Sequence, residues 1–260
     1  MKRDPFNLKD HSKYVLSKIR PLLPKKFGTL SKIVGLTFEA VGLSAPVGSV
    51  CCVETDKGGY TKCEVVGFDA EKLFLMPLGP SSGLRSGAKV SISCEADSAA
   101  VSEKLMSRVV NALGEAIDGS ELKIQGETRF ITGSPINPMD RTPITKKLDV
   151  GIKAINSLLT LGCGQRIGLV AGSGVGKSVL MGMLTRFTSA DVVVIGLIGE
   201  RGREVKEFIE STLGEEGQKK AIVVAAPADE SPLLRLRATE LAHSYAEYFR
   251  EQGKDVLLLI

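Results

Sequence analysis

The segment AGSGVGKS, Ala171 to Ser178, constrains this chain more than any other. The apolar run Arg166–Val170 precedes it and reads as a strand. Lys177–Thr188 follows and reads as a helix. Gly172, Gly174 and Gly176 let the backbone curl until successive N–H groups face one point, and the helix aims the positive end of its dipole at the same point. A phosphate group needs that arrangement. The loop residues Ala171, Gly172, Ser173, Gly174, Val175, Gly176, Lys177, Ser178 and Val179 are therefore the expected nucleotide-binding set. In such a loop the lysine neutralises the β- and γ-phosphates and the hydroxyl ligates Mg²⁺, which assigns Lys177 to ATP and Ser178 to the metal. Alanine stands where the leading glycine of the pattern usually does. The alternative, a glycine-rich turn without function, is disfavoured by the strand before and the helix after.

Beyond the loop the pattern alternates. Val192–Ile198 is an apolar, β-branched strand, and Gly202–Leu213 is a helix with Val205, Phe208, Ile209 and Leu213 on one face. Ala221–Ala226 is a strand, Leu233–Arg250 a long helix and Val256–Ile260 a final buried strand. Strands that are apolar throughout, alternating with helices, predict a parallel sheet covered on both faces, with its site at the carboxyl ends of the strands. Glu200 falls at such an end, in GLIGERGREVKEF (Gly196 to Phe208). A carboxylate there is placed to orient a water attacking the γ-phosphate. Arg201 and Arg203 are placed for phosphate or a neighbouring subunit, and Glu204 is a second, weaker carboxylate. The competing reading is a helix N-terminus that carries acids for its dipole.

The first half of the chain differs. From Gly28 to Ile92, short alternating runs such as Leu36–Val41 are broken by turns (Asp56-Lys57-Gly58-Gly59, Gly67-Phe68-Asp69), which predicts a small β-barrel. The expected divisions are a basic amphipathic helix within 1–27, the barrel over 28–94, a polar, alanine-rich linker over 95–107, and the parallel-sheet domain over 108–260. In the helix, Leu8, Val15, Ile19 and Leu22 recur at helical spacing among lysines. Residues 1–38 hold nine Lys and Arg against Asp4 and Asp10, so the net charge of +4 is concentrated in this region. A nucleic-acid binder would be basic more widely.

Five cysteines without a CxxC pair and only two histidines, His11 and His243, give neither zinc spacing nor a disulfide framework. Buried, reduced thiols are expected instead. No apolar run approaches the roughly 20 residues of a membrane span, and no apolar stretch follows the charged N-terminus, so the chain reads as cytosolic.

Taken together, GSGVGKS, GLIGERGREVKEF, AAPADESPLLR (Ala225 to Arg235) and AEYFREQGKDVLLLI (Ala246 to Ile260) closely resemble the ATPases of bacterial type III export, above all the flagellum-specific ones, relatives of the catalytic subunit of rotary ATP synthases. PINPMDRTPI (Pro135 to Ile144) and LDVGIKAINSLLTLGCGQR (Leu148 to Arg166) extend the resemblance, and VGFDAEKLFLMPLG (Val66 to Gly79) fits it more loosely. The resemblance implies an N-terminal barrel before a RecA-like P-loop ATPase domain, and a homo-hexamer with nucleotide at its interfaces. It makes Glu200 the catalytic glutamate; Lys177, Arg201 and Glu204, read from their positions, complete the expected catalytic set. It also implies ATP with Mg²⁺, coupled to release, unfolding and export of substrate proteins. The implied partners are a stator or regulator, a central stalk, export-gate proteins, chaperones and substrates, at the cytoplasmic face of the inner membrane. The basic N-terminal helix is either a contact for that regulator or for anionic membrane, or a helix packed on its own barrel.

The pattern departs from the family at its end. Val256–Ile260 corresponds to the Walker B strand, and the aspartate, arginine finger and helical domain that the family carries further on do not follow. Two other readings stand beside the main one. In its present extent the chain is a nucleotide-binding interaction module without turnover. A Rho-type RNA translocase shares the barrel and the core, but such barrels stack bases on clustered aromatics. Here Phe38, Tyr60, Phe68 and Phe74 are scattered and tryptophan is absent, so no nucleic acid is expected.

Overall fold

The computed structural model describes residues 26–93, 98–122, 124, 127–133, 136–172 and 174–260. The amphipathic helix expected within 1–27 and the loop residue Ser173 lie outside them, except that Lys26 and Phe27 are described.

Alternation of apolar and polar residues builds the first body. Strands β1 (Phe27–Val34), β2 (Thr37–Val41), β3 (Val50–Glu54), β4 (Tyr60–Asp69), β5 (Lys72–Pro77) and β6 (Lys89–Ile92) close into an antiparallel barrel in the order β1-β2-β5-β4-β3-β6. Every second side chain points inward, so Phe38, Ala40, Cys51, Val53, Cys63 and Val65 join one dry core. Closure is tight at Gly28, where a Cβ would stand 2.7 Å from that of Leu43. Burial pushes the thiols of Cys51 and Cys63 up to about 11 and about 12, so both are held as neutral core residues.

The stretch expected as a linker is packed instead. Within it, β7 (Ser98–Val101) pairs with β9 (Glu127–Phe130), and Ala99, Val101 and Leu105 are buried. Small, polar composition hid a strand whose alternate alanine and valine face the core. Strand β8 (Val109–Asn111) follows, and the short strands β10 (Lys147–Leu148) and β11 (Leu161–Gly162) flank helix α1 (Lys153–Leu158). Val50 and Leu78 of the barrel region join the core of this second body.

The parallel sheet has the order β14-β12-β13-β8, with β12 at Val192–Ile198, β13 at Ala221–Ala226 and β14 at Val256–Leu259. Val193 lies opposite Ala221 on one side and Leu257 on the other. The two-residue period divides the strands between two cores. Val192, Val194, Ile222 and Val224 meet the long helix α5 (Pro232–Glu251) through Leu241, Tyr245 and Phe249. Val193, Ile195, Ala221 and Val223 meet the helical layer on the opposite face, through Val205, Phe208 and Leu213. This accounts for strands that read as apolar throughout.

Helix α2 is Lys177–Phe187. The helix expected over Gly202–Leu213 is continued and changes type: α3 (Gly202–Glu207) runs into a π-helical turn (Phe208–Leu213) and then α4 (Gly214–Gln218). The strand expected at Arg166–Val170 does not form. A strand exists only where a neighbour takes its hydrogen bonds. Here the sheet stops at β14, and Ile167, Leu169 and Val170 are exposed, Val170 by 96%.

Candidate functional site

The site forms where α2 begins and β12 ends. Gly174 (φ 76°) and Gly176 (φ 96°) both take left-handed conformations that L side chains rarely adopt, and Gly176 is the residue from which α2 starts. Around Gly172, Gly174 and Gly176 nothing stands within 4 Å of a Cβ position, so the concave side of the loop is open. Lys177 and Ser178 are the first two residues of the eleven-residue helix and both are exposed. This donor set fits a nucleotide phosphate with its divalent cation: unpaired N–H groups at a helix N-terminus, one ammonium and one hydroxyl.

On the facing side, β12 is followed by Gly199 (φ 76°), whose N–H donates to the Ala226 carbonyl at 2.8 Å. The carbonyl of Glu200 accepts the N–H of Ala228 at 2.9 Å. The turn carrying Glu200 is thus fixed to the end of β13. Its carboxylate turns toward the loop, and Lys177 Nζ lies 3.4 Å from Glu200 Oε1, with both side chains part-exposed. Two residues far apart in sequence meet at the carboxyl edge of a parallel sheet.

Arg201 and Glu204 are arranged differently. Arg201 precedes α3 as its N-cap, and its guanidinium pairs with Glu204 one turn on, at 3.6 Å. The two engage each other, and the ion pair of Lys177 is with Glu200 alone among the described residues. Val175 and Val179 are exposed beside the loop, at 68% and 56%.

Several residues outside the loop hold the site in place. Gly182 of α2 lets that helix touch the π-helical turn at Thr212, where any Cβ would meet the Thr212 methyl and carbonyl. The far end of α2 is fixed by Asp149. Its carbonyl accepts the Ser189 N–H at 2.8 Å, and its carboxylate takes the Gly151 N–H at 2.7 Å and Asn156 Nδ2 at 2.6 Å. Those bonds, the backbone one foremost, hold the Asp149 carboxyl below its ordinary pKa. Arg235, in the first turn of α5, reaches back to within 4.0 Å of the Cβ position of Gly199. Gly182 sits in ordinary sequence surroundings, so only its tertiary contact marks it.

A closed antiparallel barrel joined to a parallel sheet with a phosphate loop and a facing glutamate defines a RecA-like nucleotide-binding protein with a barrel at its N-terminus. Comparison with known proteins agrees. Residues 151–260 match the ATP synthase alpha/beta family, nucleotide-binding domain. Across 92% of its length the chain is 50% identical to the flagellum-specific ATP synthase of Pseudomonas aeruginosa, covering 54% of it. It is 48% identical to the flagellum-specific ATP synthase of Salmonella typhimurium, covering 55%. The chain spans about half the length of these curated relatives.

Among solved structures, the assembled ATPase EscN of the enteropathogenic E. coli type III secretion system shares the fold. It aligns with a TM-score of 0.77 at 35% identity over 89% of this chain and 55% of that one. EscN in complex with its central stalk EscO gives 0.81 at 35% identity, over 89% and 56%. No described helix is long and apolar enough to cross a membrane.

Proposed function

We propose that this chain carries the ATP-binding and hydrolytic site of a type III protein export ATPase, flagellar in use, that couples ATP to release, unfolding and export of substrate proteins. The observation that carries the proposal is the approach of Glu200 to Lys177 at the mouth of the glycine loop. The loop N–H groups from Gly172 to Ser178 cradle the phosphates, and Lys177 places its charge on the β- and γ-phosphates. Ser178 would hold Mg²⁺, which would supply neutralisation of phosphate charge. Glu200 orients the attacking water. Phosphoryl transfer is mostly positioning and electrostatics, so a carboxylate carried on a turn whose backbone is fixed by hydrogen bonds suits the task. Arg201 is placed to contact phosphate or a neighbouring subunit, and Glu204, its ion-pair partner at the start of α3, is a second carboxylate.

The similarity to EscN, solved as an assembled ATPase and with its stalk, supports a homo-hexamer that works with a central stalk. A stator, export-gate proteins and chaperoned substrates complete the setting, at the cytoplasmic face of the inner membrane.

A second reading, nucleotide binding without turnover, is favoured for residues 1–260 alone by one observation: the lead-in segment Arg166–Val170 lies outside the sheet. Titration with a fluorescent ATP analogue and a phosphate-release assay test both. The chain is expected to bind Mg–ATP, and Lys177→Ala to weaken binding about 10- to 150-fold, the worth of a charge-assisted contact. The whole protein carrying this chain is expected to hydrolyse ATP, and its Glu200→Gln variant to bind without turnover. Unchanged affinity in Lys177→Ala overturns the assignment of the loop. Robust hydrolysis by residues 1–260 alone overturns the second reading.

A further inference from the structure

One cation beside the site has no assigned work. Arg235 projects from the first turn of α5, whose backbone is held by Ser231 (its Oγ accepts the Leu234 N–H at 3.2 Å) and by burial of Leu234 and Ala238. Its Nε is buried without a hydrogen-bond partner among the described residues. Its Nη1 lies 4.0 Å from the Cβ position of Gly199, the residue just before Glu200. A guanidinium nitrogen desolvated and left unpaired is costly unless some state of the protein uses it.

The site itself supplies a reason. Glu200 rests on Lys177. Lys177 is also the ammonium that a phosphate would occupy, and a phosphate brought there repels the carboxylate. Glu200 then needs another cation. Arg201, next in the chain, is engaged by Glu204. Arg235 stands on the other side of the same turn with an unused donor.

We infer that Arg235 is a positioning residue for Glu200: its guanidinium receives the carboxylate when a phosphate takes Lys177, and so holds the glutamate beside the γ-phosphate. The inference rests on the nucleotide reading of the loop. No bond is made or broken; one ion pair replaces another.

The test is a set of affinities for Mg–ATP measured on residues 1–260 with a fluorescent analogue. Coupled neighbours show non-additive effects, so Arg235→Met is expected to weaken binding about 3- to 10-fold in the parent and not at all in a Glu200→Gln background. Arg235→Lys, which keeps the charge, is expected to stay near the parent. A merely structural role for Arg235 would lower affinity equally in both backgrounds. That result, or parent-like binding by Arg235→Met, overturns the inference. A crystal structure with Mg²⁺ and a non-hydrolysable ATP analogue gives a second readout: Glu200 within hydrogen-bond distance of Arg235 supports the exchange, and Glu200 still on Lys177 overturns it. Failure of the parent to bind nucleotide overturns the reading of the loop and this inference together. Parent binding that depends on Lys177 but ignores Arg235 overturns this inference alone.

Discussion

Lys177 Nζ stands 3.4 Å from Glu200 Oε1, and this contact closes the phosphate loop with the carboxylate that faces it. An incoming phosphate must therefore compete with Glu200 for the ammonium. The side chains are 43% and 37% exposed, and a pair of that exposure is worth about 0 to 1 kcal/mol. Glu200→Gln is accordingly predicted to bind Mg–ATP as well as the parent or up to about 5-fold more tightly, as read by titration. Weaker binding would show that the carboxylate assists the ligand rather than competing with it.

A second prediction concerns pH. Arg108 grips Asp118 with two bonds, Nε to Oδ2 at 2.6 Å and Nη2 to Oδ1 at 2.7 Å, and the Val109 and Ser120 N–H groups add to them. The guanidinium bonds first, then those amides, hold the Asp118 carboxyl down at about 2 against the opposing effect of desolvation. A carboxyl whose folded value lies below its unfolded one contributes stability above the unfolded value and loses it as pH falls. The contribution is complete above about pH 4, on the order of 1 to 2 kcal/mol, and disappears toward pH 2. Asp118→Asn should lower the melting temperature at pH 7 and flatten its fall between those limits. A parent-like acid limb in that variant would dissociate the pair from stability.

A third prediction tests the packing of α2 on the π-helical turn. Alanine is the better helix former, so on an isolated helix Gly182→Ala would stabilise by about 1 kcal/mol. Here a Cβ has no space against Thr212. Overpacking of this kind costs about 1 to 3 kcal/mol, and the variant is predicted to unfold at lower denaturant. A gain in stability would mean that the two helices separate freely.

The basic N-terminal region supports a fourth. Its lysines and arginines next to an anionic surface contribute up to about 1 kcal/mol each before screening by salt. Residues 1–260 should float with acidic liposomes at low salt, and a chain starting at Gly28 should not. Equal flotation of both would leave residues 1–27 no role in membrane contact.

What local chemistry controls was legible in the sequence by itself. Glycines that need positive φ mark the loop, β-branched runs mark β12 and β13, and period-two alternation marks the barrel strands. Each signal lies within a few residues, so no tertiary information is needed to read it. The position of Glu200 was legible for the same reason, because it lies just past a recognisable strand. Tertiary structure decided what depends on partners distant in the chain. Ser98–Val101 is a strand because Glu127–Phe130 pairs with it, whereas Arg166–Val170, more strand-like in composition, is not one because the sheet ends at β14. The π-helical turn, the close approach of Gly182 to Thr212 and the position of Arg235 behind Gly199 have no local signature. Hydrogen-bond pairing and close packing join residues far apart in sequence, and those energies exist only once the chain has brought the residues together.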